Sequence, residues 1–366
     1  MCASKALLTL LRTIGSPLVP NNFQVDENLG NGYDPRLYSI AEANKIPLTY
    51  LSTVSLQERK RLPEYDYHYN RLHRLVEVLI KISKLFDEKG INYVIFKTLR
   101  PYSEDVADID VLNMVLRSNY RKMVEVLKES GYLLMEEGTY CTTFRDYKTR
   151  FKTEVMIDVY DEISVSHLIY LDKHKLNNYI VKKKLPVGLV VRVFGPEAEL
   201  LVTIAHSAIK ENQYILAEYY ATLHYLALMD QYSIERVINL IRENKLVNAF
   251  RWHLTITATL HKLTFDLIPE KLSNLLSKLG GLWSRAYGQV FELMYPPYKC
   301  DPLTLTSIFG EKMQDAVFRR SLCHQMLSFP TRNFTKRLLT RLMAMLAIKW
   351  QSNSCIKSTS PFLEYG

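Results

Sequence analysis

No two cysteines of this chain stand in a CxxC pair. The five present, Cys2, Cys141, Cys300, Cys323 and Cys355, are scattered and odd in number, which indicates neither a zinc site nor a disulfide framework. Free thiols in a reducing cytoplasm are the expectation that follows. Long apolar runs are missing too. Residues 6–11 are too few to span a bilayer and are stopped by Arg12. No small-residue cleavage site accompanies them, so neither a transmembrane helix, a signal peptide nor a membrane partner is expected. No internal repeat is found. Glycine is sparse, 13 of 366 residues, and none lies between Gly90 and Gly131.

What is present is ordinary material for a packed core. Hydrophobic residues make up 48% and charged residues 23% of the chain, and its length suits two domains or one with a long appendage. Lys and Arg outnumber Asp and Glu by 47 to 38, a formal charge of +9. That balance is compatible with a polyanionic partner but defines none. The 24 tyrosines invite a base-stacking reading, Tyr219-Tyr220 included, although most tyrosines serve as amphipathic core or rim.

Periodicity divides the chain. Residues 1–65 mix short helical patterns with turns. Residues 66–89 form one long amphipathic helix, with Leu75, Leu79, Ile82 and Phe86 on its apolar face and Gly90 at its C-terminal end. Strands are expected at 91–96, 108–112 and 153–160. Ser118 is placed to cap a helix ended by Gly131, and Glu136-Glu137-Gly138 to turn a hairpin. From Pro196 onward the pattern is helical. The expectation is an α+β fold: a small mixed sheet with flanking helices over 66–194, a helical segment over 1–65, a largely α-helical C-terminal domain over 195–350 and a flexible tail over 351–366.

The chemistry gathers around residues 93–112. An apolar run, Tyr93-Val94-Ile95-Phe96, leads into Lys97-Thr98-Leu99-Arg100, and a second run opens with Asp108-Ile109-Asp110. Side chains on a strand repeat every two residues, so Asp108 and Asp110 project from one face. Adjacent carboxylates repel unless a cation lies between them, and Mg²⁺ favours such oxygen ligands together with substrate phosphates. Asp158 lies in a second apolar strand, between Ile157 and Val159. Beside the first strand it completes a three-carboxylate cluster suited to metal-assisted displacement at phosphorus, with Asp158 at or near the general base. The alternative for Asp158 is pairing with a buried Arg or Lys.

These motifs resemble the polymerase-beta-like nucleotidyltransferases, and more narrowly an uncharacterised prokaryotic family of that superfamily. Its turn reads Lys-Gly and is followed by Ser/Asp-Asp-Ile-Asp-Leu. Lys97-Thr98 matches the turn, Ala107-Asp108-Ile109-Asp110-Val111-Leu112 the metal strand, and Ile157-Asp158-Val159-Tyr160 the later carboxylate strand. Pro196-Glu197-Ala198-Glu199-Leu200 with His206 and Lys210 is similar to the opening of the family's helical half, and residues 39–51 to its amino-terminal helical segment. The likeness spans roughly 1–270 and is specific over 97–112. One departure stands out: Thr98 occupies the position of the family's glycine.

The resemblance implies a polymerase-beta-like core that binds Mg²⁺, with Mn²⁺ the alternative ion, on Asp108, Asp110 and Asp158. Lys97, Thr98 and Arg100 would engage the phosphates of a nucleoside triphosphate such as ATP, and His206 and Lys210 would face the cleft. The reaction implied is transfer of a nucleoside monophosphate to a hydroxyl of a small molecule, a protein or an RNA end. Blander readings stand beside these roles: Lys97 as a surface residue at a strand end, His206 as a satisfied core histidine. A catalytically silent nucleotide-binding module is the competing function. An RNA-binding protein of toxin–antitoxin type is another, its nucleic-acid surface carried by the basic residues of 319–349.

Overall fold

The computed structural model describes residues 2–19, 32–146, 154–185, 188–292 and 295–327. Proline starts many of the helices, supplying a preset φ where the missing N–H costs nothing. Helix α1 spans Cys2–Ile14. Pro35, Pro47 and Pro63 then open α2 (Pro35–Ala43), α3 (Pro47–Leu51) and, after the single turn α4 (Leu56–Arg59), the long α5 (Pro63–Glu88). Gly90, at φ +62°, ends α5 where a side chain would be strained.

The sheet strands follow: β1 (Tyr93–Phe96), β2 (Asp108–Asn113), β3 (Leu133–Glu137), β4 (Cys141–Arg145) and β5 (Met156–Tyr160). A hairpin of β6 (Ile163–Val165) and β7 (Leu168–Leu171) intervenes before β8 (Ile180–Lys184) and β9 (Val190–Phe194). Seven of these form one mixed sheet in the order β3-β4-β5-β2-β1-β9-β8. Pairing is antiparallel for β1 with β2 but parallel for β2 with β5 and for β1 with β9. The fold is α+β, as expected, with a larger sheet than the pattern of 66–165 alone suggests, because β8 and β9 extend it.

Alternation sorts the strands onto two faces. Ile95, Ile109, Val111, Ile157 and Val159 pack against Leu79, Ile82 and Phe86 of α5 and against Met123 and Leu127 of α6 (Arg117–Glu129). Val94, Phe96, Leu112, Tyr160 and Phe194 face the other way, into a core shared with α1, α2, α3 and the C-terminal helices. Those helices are α7 (Pro196–Ala205), α8 (Leu216–Leu228), α9 (Gln231–Glu243), α10 (Val247–Phe265), α11 (Glu270–Lys278), α12 (Ser284–Glu292), α13 (Pro302–Lys312) and α14 (Ala316–Leu327). The amino-terminal segment is sewn into this lobe: Arg12 Nε donates to the Thr264 carbonyl at 3.0 Å, and Ser16 Oγ lies 3.0 Å from His261 Nε2. Tyr219 and Tyr220 are core residues. Among the described residues no helix is long and apolar enough to cross a membrane.

Two local expectations are corrected. Ser118 does not cap α6: the helix begins at Arg117 with Leu116 at the cap position and no side-chain cap. Asn113 organises the approach instead, its amide donating to the carbonyls of Val115 and Leu116 at 3.1 Å. Glu136 and Glu137 lie within β3, and the turn comes later, where Gly138 N–H donates to the Cys141 carbonyl at 2.8 Å. Within the helical lobe Gln213–Tyr214 pair with Tyr298–Lys299, and α8 begins only at Leu216. The basic residues Arg332, Lys336, Arg337, Arg341 and Lys349 and the tail 351–366 lie outside the described residues. Arg319 and Arg320, within them, donate to the carbonyls of Met313, at the end of α13, and Ala316, at the start of α14.

Ile157, at 0% exposure between sheet and α5, tests this packing. Ile157→Ala is expected to destabilise the protein by about 2–5 kcal/mol, read as a lower midpoint in chemical denaturation at unchanged slope.

Candidate active site

Immediately after β1 the chain reverses, and the reversal is strained. Lys97 has φ +57°, a left-handed conformation that costs a residue with a side chain of the order of 1–2 kcal/mol. A buried carboxylate holds it: Glu199, from the first turn of α7, accepts the Lys97 N–H on both oxygens at 3.2 and 3.1 Å. Thr98 follows, 3% exposed. Its hydroxyl accepts the Asp110 N–H at 2.8 Å and lies 3.2 Å from the Phe96 carbonyl. The Thr98 side chain therefore ties the turn to β2 rather than reaching into open space. The position with glycine-like geometry is 97, not 98.

The strand register then assembles the acids. In the parallel β2–β5 pair Asp110 lies directly opposite Asp158, and Asp108 opposite Met156. All three carboxylates project from the face that carries Leu112 and Tyr160, toward the helical lobe. Each has a different environment. Asp110 carries an ion pair with Lys97, Nζ to Oδ2 3.1 Å. Asp158 accepts from Thr143 Oγ1 at 2.6 Å and from Tyr160 OH at 3.3 Å. Burial, followed by repulsion from Asp110 and Asp158, pushes the Asp108 carboxyl up to about 6. Burial and the Asp110 charge raise Asp158 as well, against its Thr143 hydrogen bond and the attraction of Lys210 and Lys97.

Opposite the acids stand four cations from three separate segments. They are Lys45 in the α2–α3 turn, Lys97, Arg100 in the loop 97–107, and Lys210 in a π-helical turn, His206–Glu211, that continues α7. All four depress the His206 imidazole, which burial already drives well below its usual value. His206 stands on the cleft wall, its Nε2 3.6 Å from the Glu211 carboxylate. Tyr160 lies between two ammoniums, its ring centroid 5.6 Å from Lys97 Nζ and 5.9 Å from Lys210 Nζ. Arg100 Nη1 is buried and has no hydrogen-bond partner among the described residues, a costly arrangement for a charged donor in the absence of an anion.

These groups line one cavity of about 470 Å³. Its outer wall is the start of α5, where Asp105 accepts from His68 Nδ1 at 2.9 Å and pairs with Arg71 at 3.3 Å. The loop 97–107 is fastened across it. Tyr102 OH donates to the Ala217 carbonyl at 2.8 Å, and Glu104 accepts from Thr49 Oγ1 at 2.9 Å at the start of α3. Every residue expected from sequence lies at this cleft: Asp108, Asp110, Asp158, Lys97, Arg100, His206 and Lys210 on its wall, and Thr98 in the turn beneath. Lys45, Tyr160 and Glu199 are additions. Tyr160 and Glu199 sit inside motifs already singled out, but their roles depend on contacts that span the fold.

Whether a metal fits depends on these contacts. Among the described residues no three His, Cys, Asp or Glu side chains are posed to share one ion; Asp110 is engaged by Lys97, and Asp158 by Thr143 and Tyr160. The donors themselves are carboxylate oxygens on neighbouring strands, with no thiolate or imidazole among them. That set suits a hard divalent ion. No known protein-family model matches the chain, and no curated protein matches it.

Glu199 gives this geometry a measurable pH signature. Burial raises its carboxyl from 4.5 to about 7, against the Lys97 N–H and the Arg100 and Lys97 charges. The folded state therefore binds this proton more tightly than the unfolded chain, and stability falls as pH rises through that window. Glu199→Gln keeps an acceptor for the Lys97 N–H and cannot ionise. Its stability relative to the wild type is expected to climb between pH 4.5 and 7, in thermal melts taken at each pH; a constant difference across the window contradicts the assignment.

Proposed function

We propose that the protein is a polymerase-beta-like nucleotidyltransferase that moves a nucleoside monophosphate from a nucleoside triphosphate to an acceptor hydroxyl. The observation that carries this reading is the pairing of Asp110 with Asp158, one strand repeat beyond Asp108, in a cleft whose opposite wall bears Lys45, Lys97, Arg100 and Lys210. Catalysis of phosphoryl transfer is largely positioning and charge stabilisation, and acids facing cations provide both. Asp108, Asp110 and Asp158 would hold Mg²⁺, or Mn²⁺ in its place. When bound, the ion neutralises charge on phosphoryl oxygens and favours the ionised form of the attacking hydroxyl.

The chain's own groups take the remaining tasks. Arg100, with an unpartnered Nη1, and the ammoniums of Lys45 and Lys210 bind the triphosphate. The Asp158 carboxylate, oriented by Thr143 and Tyr160, accepts the acceptor's proton as its oxygen bonds to the α-phosphorus. The bond from that phosphorus to the bridging oxygen breaks, and pyrophosphate leaves. Burial keeps Asp158 more basic than a solvated aspartate, as this role requires.

A nucleotide-binding module without turnover is the second reading, and the Lys97–Asp110 ion pair favours it. One experiment separates the two: incubation with each α-labelled nucleoside triphosphate, Mg²⁺ and a cell extract, following both labelled acceptor and pyrophosphate. The expected result is a labelled product whose rate falls about 100-fold or more in Asp110→Asn and Asp158→Asn, the loss of several kcal/mol of charge stabilisation. Nucleotide binding without pyrophosphate release supports the silent module. Product formation unchanged in both variants overturns the assignment of the acids.

A further inference from the structure

Of Asp108, Asp110 and Asp158, only Asp110 is ion-paired among the described residues, and its partner is Lys97 at 3.1 Å. This ammonium is not a surface charge that happens to fall nearby. The Lys97 side chain is 9% exposed, and its Nζ lies 5.0 Å from the Phe96 ring centroid and 5.6 Å from that of Tyr160. Backbone and head group are held by different acids: Glu199 clamps the N–H, Asp110 the ammonium. A lysine head on a flexible four-carbon stem can move while its backbone stays clamped. The same oxygens of Asp110 are those a divalent ion would need.

We propose that Lys97 is an internal counter-ion that competes with the divalent metal for Asp110, and that a polyphosphate recruits the metal by drawing Lys97 away. With no triphosphate bound, the ammonium quenches Asp110, and an incoming ion has to displace it. A triphosphate offers Lys97 another anion on the wall already lined by Arg100 and Lys210, which frees Asp110. Metal and triphosphate then bind with positive coupling, and by linkage each raises the affinity of the other by the same factor. Lys97 is thereby a positioning residue that sets the order of binding. The inference rests on the metal reading of the acids above and adds to it a competition that reading does not require.

The test is binding of Mn²⁺ to the full-length protein, followed by electron paramagnetic resonance of the free ion and by calorimetry. Wild type, Lys97→Met, Lys97→Gly and Asp110→Asn are compared, each with and without a nucleoside α,β-methylene triphosphate. Lys97→Gly removes the ammonium and also relieves the left-handed backbone at φ +57°, so it keeps the test valid if Lys97→Met folds poorly. Without nucleotide, both Lys97 variants are expected to bind Mn²⁺ at least about tenfold more tightly than the wild type. With the analogue, wild-type affinity is expected to rise by a similar factor and that of the variants to change little. Equal or weaker Mn²⁺ binding by the variants, with binding lost in Asp110→Asn, overturns the competition and leaves the metal reading intact. Absence of Mn²⁺ binding from wild type and Lys97 variants alike overturns both. Tighter binding by the variants in a protein that transfers no nucleotide upholds the competition and removes the enzymatic reading.

Discussion

The parallel alignment of β2 with β5 is the constraint on which the cleft depends. It sets Asp110 opposite Asp158 and Ile109 opposite Ile157 at once, so one register defines both the charged face and the apolar face. Displacing either strand by a single residue would carry its carboxylates into the packing of α5 and α6 and its isoleucine into the cleft. The hydrophobic face therefore guards the position of the acids. Burial of Ile109, Val111, Ile157 and Val159 at 0% exposure makes every other pairing costly.

Around that register the cleft solves an electrostatic problem. Acidic side chains are crowded onto one strand pair in a half-dry space, and basic side chains come from three places distant in sequence. Among the described residues only one of these attractions closes into a short ion pair, Lys97 with Asp110. The rest of the charge is left facing the cavity, where Arg100 keeps an unpartnered donor and Asp108 an elevated carboxyl. Structural ion pairs usually close fully. Open charge of both signs, walled by fixed backbone, is the arrangement of a site that meets charged ligands.

Much of this was legible in the sequence, for a physical reason. A strand places every second side chain on one face, so Asp108 and Asp110 could be assigned a common face without knowing the sheet, whereas Asp158 joins them only through the pairing of β2 with β5. Apolar periodicity likewise located α5 to within a few residues and marked the chain from Pro196 as helical. What could not be read were features set by distant contacts. The left-handed turn falls at Lys97, and nothing near it in sequence shows why a lysine is tolerated there; the answer is Glu199, 102 residues on. Lys45 reaches the cleft only because α2 and α3 pack beside the loop 97–107. Ser118 resembled a cap by type, but Asn113 and Asn119 had already ordered that corner, with Asn119 Nδ2 donating to Asn113 Oδ1 at 2.9 Å.

The clamp from Glu199 to Lys97 also bears on how the molecule comes into being. A growing chain that has emerged through β5 carries its three acids, yet the turn beside them has neither its carboxylate nor the neighbouring strand β9 that borders β1. Those arrive only with residues 190–199. Contacts of such long sequence separation form late and slowly, so a nascent chain carries the acids as an unfinished half-site. The cleft becomes electrically balanced only when synthesis has passed well into the helical lobe, and any ligand that depends on that balance meets a protein whose sheet is already complete.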